Sequence, residues 1–143
     1  MSRVGIFNLF IGFFLIFIAS CYGAFLAGDS TYALLQNKEL LSSWSYVLKK
    51  SSHAHTNSFG ILHTLFGLTQ PYSTLSLKTK AWQTCGLLAG SFTMSFLLFT
   101  RSLSLLDQAS YDALGWVIGA FLSATLLALA SHSFGLLAKF LKR

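Results

Sequence analysis

The chain has 143 residues, 54% hydrophobic and 10% charged, with fourteen Phe and a net charge of +6, whereas a soluble domain carries about 25% charged residues. Those proportions exclude an ordinary soluble globule, and at about 20 apolar residues per membrane span the length suits roughly four spans and no separate soluble domain. In a chain of mean hydropathy +0.63, the excess of Lys and Arg over Asp and Glu serves topology, and nucleic acid is not an expected partner.

The expectation is one all-α membrane domain over residues 1–143, a polytopic bundle of four transmembrane helices in contact with membrane lipid. The first apolar run, residues 4–27, stands behind Met1-Ser2-Arg3. It is too long and too poor in a cleavage pattern for a signal peptide, so it is expected to remain as the first helix. A polar loop follows at 28–50. Within it residues 40–48 read as an amphipathic piece lying at the interface, where Trp44 and Tyr46 suit the headgroup level. The second helix is expected at 52–71, the third at 81–99 and the fourth at 113–138.

Lys and Arg divide six (Arg3, Lys78, Lys80, Lys139, Lys142, Arg143) against four (Lys38, Lys49, Lys50, Arg101) between the two sides of those spans. The bias predicts both termini in the cytoplasm, and a bacterial inner membrane is the expected location. Gly86 and Gly90 on the third helix, and Gly115 and Gly119 on the fourth, have the four-residue spacing that lets helix backbones approach, either within the bundle or between copies of the chain. Cys21 and Cys85 fall in opposite leaflets when helix directions alternate, so they are not expected to pair.

Chemistry concentrates on the second helix, where Ser52-His53-Ala54-His55-Thr56-Asn57-Ser58-Phe59-Gly60 brings imidazoles and an amide into a span. Polar groups there are costly and usually functional. At about 100° per residue, His53, Asn57, Gly60, Thr64 and Gly67 share one narrow face, with His55 elsewhere and His63 beside the stripe. Two readings stay open. The stripe is either a close helix contact with His53 bonding at its end, or a surface for a flat cofactor with His53 as ligand. A small-metal site on His53 and His55 is a third option, which requires the helix to start after His55 because residues two apart diverge by about 200°. His63 is expected to hydrogen-bond a neighbouring helix and His132 to snorkel at the interface. No nucleophile elbow, phosphate loop or dinucleotide-binding glycine motif is present.

Ser52-His53, Gly60 seven positions on, Gly67-Leu68 and the closing Pro71 resemble the pattern of the small four-helix membrane family that includes styrene-oxide isomerase and hydroxylaminobenzene mutase. The resemblance covers about the first 100 residues and rests on a short motif. It implies a homotrimer with haem b held between neighbouring protomers and His53 as the axial iron ligand; the residue reading adds His55 as the alternative ligand and Asn57 and Gly60 beside the cofactor. It also implies Lewis-acid isomerisation of a small apolar substrate. The sequence departs from the family at Phe59, where the family has Asn, and at Ala89, Thr93 and Leu97, where the isomerase has Asp, Asn and Tyr. Thr93 and Cys21 are the nearest polar substitutes. A cofactor-free membrane scaffold or accessory subunit, and a haem sensor without turnover, stand as alternatives.

Overall fold

The computed structural model describes residues 1–36, 43–103 and 113–142. Within them the regular structure is helical: α1 (Arg3–Leu35), α2 (Trp44–Thr69), a 3-10 turn (Gln70–Tyr72), α3 (Leu77–Phe92), a π segment (Thr93–Leu97), α4 (Leu98–Ser102) and α5 (Ala113–Leu141). α3, the π segment and α4 run on as one rod of 26 residues. Three helices, Arg3–Leu35, Leu77–Ser102 and Ala113–Leu141, are long and apolar enough to cross a membrane, the make-up of an integral membrane protein. α2, which carries the histidines, does not join them on hydropathy.

Serine side chains set where the helices begin. Ser2 accepts from the Gly5 N–H, Ser43 from Tyr46 and Ser76 from Thr79, each satisfying an orphan donor worth about 1 kcal/mol. The helices therefore run past the apolar runs that predict them. α1 continues eight residues beyond 27, and α2 begins at Trp44, so both flanks of the expected 28–50 loop are helical. The expected interfacial piece at 40–48 is corrected accordingly: its residues 40–42 lie outside the described set, while 44–48 form the first turns of α2. There Tyr46 and Leu48 are buried, and the Tyr46 hydroxyl bonds Ser30 of α1. Pro71 then ends α2 within the 3-10 turn, since its ring admits no further helical bond.

The outside is apolar and the inside small and polar. Phe10, Phe13 and Phe17 are more than 60% exposed, while Asn8, His63 and Thr93 are fully buried. This is the reverse of a water-soluble helix bundle and matches association driven by close packing and interhelical hydrogen bonds. A Cβ on Gly12 would stand 2.8 Å from the Gly60 carbonyl oxygen, and one on Gly67 2.8 Å from that of Gly5, so α1 and α2 touch backbone to backbone. α3 meets α5 in the same way. Gly86 lies against the Ala124 carbonyl, Gly90 beneath the Phe59 ring, and Thr125 donates to the Gly86 carbonyl at 2.8 Å. The glycines of the third helix thus serve contacts within the chain, whereas Gly119 faces open space. Phe59, Phe66 and Leu87 form the apolar centre.

Ser2 donates to Gln70 at 3.2 Å and the Thr74 N–H to the Gly135 carbonyl at 3.3 Å. The start of α1 and the last turns of α5 thus share one end of the molecule with the 70–76 connection. At the other end Ser45 donates to the Ser102 carbonyl at 2.6 Å, tying the start of α2 to the end of α4.

Candidate functional site

The four histidines divide into two kinds. His63, fully buried, lies between Asn8 Oδ1 (2.8 Å, from Nδ1) and Ser91 Oγ (3.1 Å, from Nε2). The Asn8 amide nitrogen donates to Thr84 at 2.7 Å and Thr84 donates to the Lys80 carbonyl at 3.0 Å. Asn8 therefore turns its oxygen to His63, whose Nδ1 carries the proton, while Nε2 lies 3.1 Å from a Ser91 hydroxyl that donates to the Leu87 carbonyl at 2.8 Å. The expected bond to a neighbouring helix is present, and it reaches two. His132 departs from expectation. It does not snorkel but is buried, stacked on Phe66 at 4.2 Å between ring centroids, with Nε2 2.8 Å from Thr69 Oγ1 and Nδ1 3.4 Å from Gln83 Oε1. The cause is the α3–α5 contact, which carries that face of α5 inward and leaves no path to the interface.

His53 is the contrasting case. Its Nδ1 is buried without a hydrogen-bond partner, its ring meets Tyr22 edge-on at 6.2 Å, and Gly23 lies directly beneath it: a Cβ there would come within 2.6 Å of its Cε1. Tyr22 in turn meets Phe99 edge-on at 5.5 Å. His55 is half-buried, and because α2 runs unbroken through both residues the two rings leave on faces about 200° apart. Among the described residues no three of His, Cys, Asp or Glu come together to hold a metal ion, and Cys21 and Cys85 are free and exposed.

The stripe on α2 is, within one chain, a helix contact. Gly60 is sealed under Gly12 and Ile16, Thr64 touches Gly12, and Gly67 lies under Gly5 and Leu9. Asn57 is exposed. Of the three residues expected at a cofactor, His53 is half-buried, Asn57 is exposed and Gly60 is covered by α1. As a test of fit for haem, the donor type agrees, since imidazole is a haem ligand and His53 Nδ1 has no hydrogen-bond partner, but that atom is buried against Gly23 and the ring has to turn to present it. The flat surface at Gly60 is taken by α1, so a planar group on His53 has to approach from outside the α1–α2 seam.

A cavity of about 350 Å³ opens between α1, α2, the π segment and α4, walled by Leu15, Ile18, Tyr22, Ser95, Phe96 and Phe99 among others. Sequence reasoning missed Tyr22, Gly23 and Ser95. Thr93 is fully buried, Ala89 and Leu97 are half-buried and Phe59 is in the core. No family model matches the chain, and neither a curated protein nor a solved structure matches it.

Proposed function

We propose that the chain is a four-span membrane protein that holds haem b through His53, assembles as a homotrimer with the group between copies, and acts as a Lewis-acid isomerase on a small apolar substrate. The observation that carries this reading is the division of the histidines: both ring nitrogens of His63 and of His132 lie within hydrogen-bond distance of a side-chain polar atom, and His53 keeps a buried nitrogen with no partner. The resemblance of Ser52-His53, Gly60 and Pro71 to the styrene-oxide isomerase pattern points to the same residue. α2 crosses the membrane in this reading because its polar groups are turned inward or toward a neighbouring copy, and both termini lie in the cytoplasm, on the side richer in Lys and Arg.

When bound, haem supplies a Lewis-acidic iron. The chain's own residues supply the rest. His53 provides the ligand nitrogen, Tyr22 and Gly23 fix the orientation of its ring, and the apolar cavity wall excludes water from the reactant.

The test is haem content by pyridine haemochrome in detergent-purified variants from haem-replete cells. His53→Ala should lose haem while His63→Ala and His132→Ala retain it per mole of folded protein, and full haem in His53→Ala overturns the assignment. Loss in His55→Ala alone would move the ligand to His55. A second reading, a cofactor-free scaffold, is favoured by the α1–α2 contact that occupies the stripe. It predicts no Soret band in any variant.

A further inference from the structure

α1 and α3 start at the same end of the molecule and run in parallel. Asn8 donates to Thr84 at 2.7 Å, and at the helical rise Arg3 lies about 7.5 Å, and Lys78 about 9 Å, from that bond toward the helix starts. The two cations therefore stand at nearly one level. Below them a lateral groove of about 330 Å³ runs between the helices, walled by Arg3, Val4 and Phe7 of α1 and by Ala81, Cys85 and Leu88 of α3. Arg3, Phe7, Ala81 and Cys85 are exposed, as is Lys78, which shares a face of α3 with Cys85 to within about 20°. Among the described residues neither the Arg3 nor the Lys78 side chain has a hydrogen-bonding or charged partner, whereas Lys80 donates to the Ser73 carbonyl at 3.1 Å. No acid stands in the first turn of α1 or α3, so the positive ends of both helices add to the field. Asp29, the only acid among the described residues, is about 39 Å away along α1. Tyr72 and Trp82, 63% and 69% exposed, mark the headgroup level at this end, and from Ala81 to Leu88 the groove descends about 10 Å into the hydrocarbon layer.

We infer that this groove holds an acyl chain of an anionic phospholipid whose phosphodiester lies between Arg3 and Lys78 at the membrane surface. The charge is complementary: a guanidinium takes phosphate oxygens in a fixed fork and an ammonium meets them as a point charge. The depth is complementary too, since Val4, Phe7 and Leu88 present hydrocarbon where an acyl chain runs. A soluble anion such as free phosphate would leave those walls unused, and an acidic peptide would set its charges against them. A zwitterionic phospholipid brings its own cation to the same two cations and is disfavoured by repulsion. With both termini in the cytoplasm, the lipid belongs to the leaflet in which anionic lipids concentrate. Seated there it clamps α1 to α3 beside the Asn8–Thr84 bond. The site is independent of haem and of the role of His53.

The experiment titrates the full chain in mild detergent with phosphatidylglycerol, or with phosphatidylcholine of the same acyl chains, and reads bound lipid by native mass spectrometry. Phosphatidylglycerol should saturate at one per chain and bind about twentyfold more tightly than phosphatidylcholine. Arg3→Gln and Lys78→Gln should each weaken it about fivefold, and together remove the preference. Lys139→Gln, which removes a cation of the same end outside the groove, should leave it unchanged. Ala81→Trp fills the groove and keeps both cations, so it should abolish saturable binding in a protein that stays monodisperse; should it not fold, the two glutamine variants decide alone. Inorganic phosphate at matched ionic strength should not displace the lipid. Equal affinity for the two lipids overturns the proposal and leaves an ordinary boundary lipid. An equal loss in Lys139→Gln overturns it in favour of a diffuse field, and displacement by phosphate in favour of a soluble anion. Full binding in a folded Ala81→Trp protein also overturns it, since the headgroup would then hold the lipid without the groove.

Discussion

Gly23→Ala tests whether the position of the His53 ring matters, without removing any chemical group. The new methyl would stand 2.6 Å from Cε1 and 3.1 Å from Nε2 of His53, against an ordinary carbon–carbon separation of about 3.5–4.0 Å. The ring must therefore move by about 1 Å. Because the contact is with the far end of a side chain and not with backbone, the movement costs about 0.5–1.5 kcal/mol in rotamer strain. The gain of about 0.5–1 kcal/mol from replacing glycine within a helix offsets most of that. Global stability should change by less than about 1 kcal/mol, while a ligand nitrogen displaced by about 1 Å should weaken haem binding tenfold to a hundredfold. Haem titration into the haem-free protein, paired with reversible unfolding in mixed micelles, reads the two effects separately. Unchanged haem affinity at unchanged stability would refute the reasoning, since the imidazole would then be free to bind wherever its ring stands.

Two further predictions concern the frame that carries the site. In a double-mutant cycle of Asn8→Ala and His63→Ala the coupling should be about 0.6–1.7 kcal/mol, the range for interhelical bonds in a bilayer protein, measured by SDS-driven unfolding; a coupling near zero would remove Asn8 as the histidine's partner. Gly12→Leu should abolish the folded state, because its Cβ meets the Gly60 carbonyl oxygen and the Thr64 nitrogen, both at 2.8 Å and both backbone, whereas Gly119→Leu, with open space around it, should fold. Protease resistance and monodispersity in detergent check both, and a folded Gly12→Leu protein would contradict the backbone contact.

The apolar helices were legible because long uncharged runs have few other solutions, and the His63 bond was legible because a buried imidazole needs partners. Helix ends were harder. Ser2, Ser43 and Ser76 act as caps, yet a serine among many serines gives no distinctive signal until its hydrogen bond is seen. The α2 stripe was readable as a face, but not what covers it: Gly5, Gly12 and Gly23 on α1 lie seven and eleven residues apart, too sparse for the four-residue spacing that marks close approach. His132 was misplaced for a related reason. Its distance from the chain end suggested the interface, and only the α3–α5 contact shows that Phe66, Thr69 and Gln83 enclose it. The π segment has no sequence signature here, so Ser95 could not be singled out.

These failures have a common physical origin. In water a functional polar residue stands out against an apolar core, but inside a membrane protein the core itself is polar and small, and function cannot be read from polarity alone. What distinguishes residues here is whether their hydrogen-bonding capacity is spent. Asn8, Thr84 and His63 form a chain in which each group has its partner, and such a chain fixes three helices in register. Tyr22, His53 and Ser95 have buried atoms with none, two of them in one cavity wall and the third in ring contact with Tyr22. Unspent capacity in a water-poor interior is a cost that folding alone does not recover, and Tyr22, His53 and Ser95 carry it toward the start of α2 while Gln70 Nε2 carries it at the other end. The glycine seam supports that arrangement, because the approach of α1 to α2 brings Tyr22 to the cavity and Gly23 beneath the imidazole.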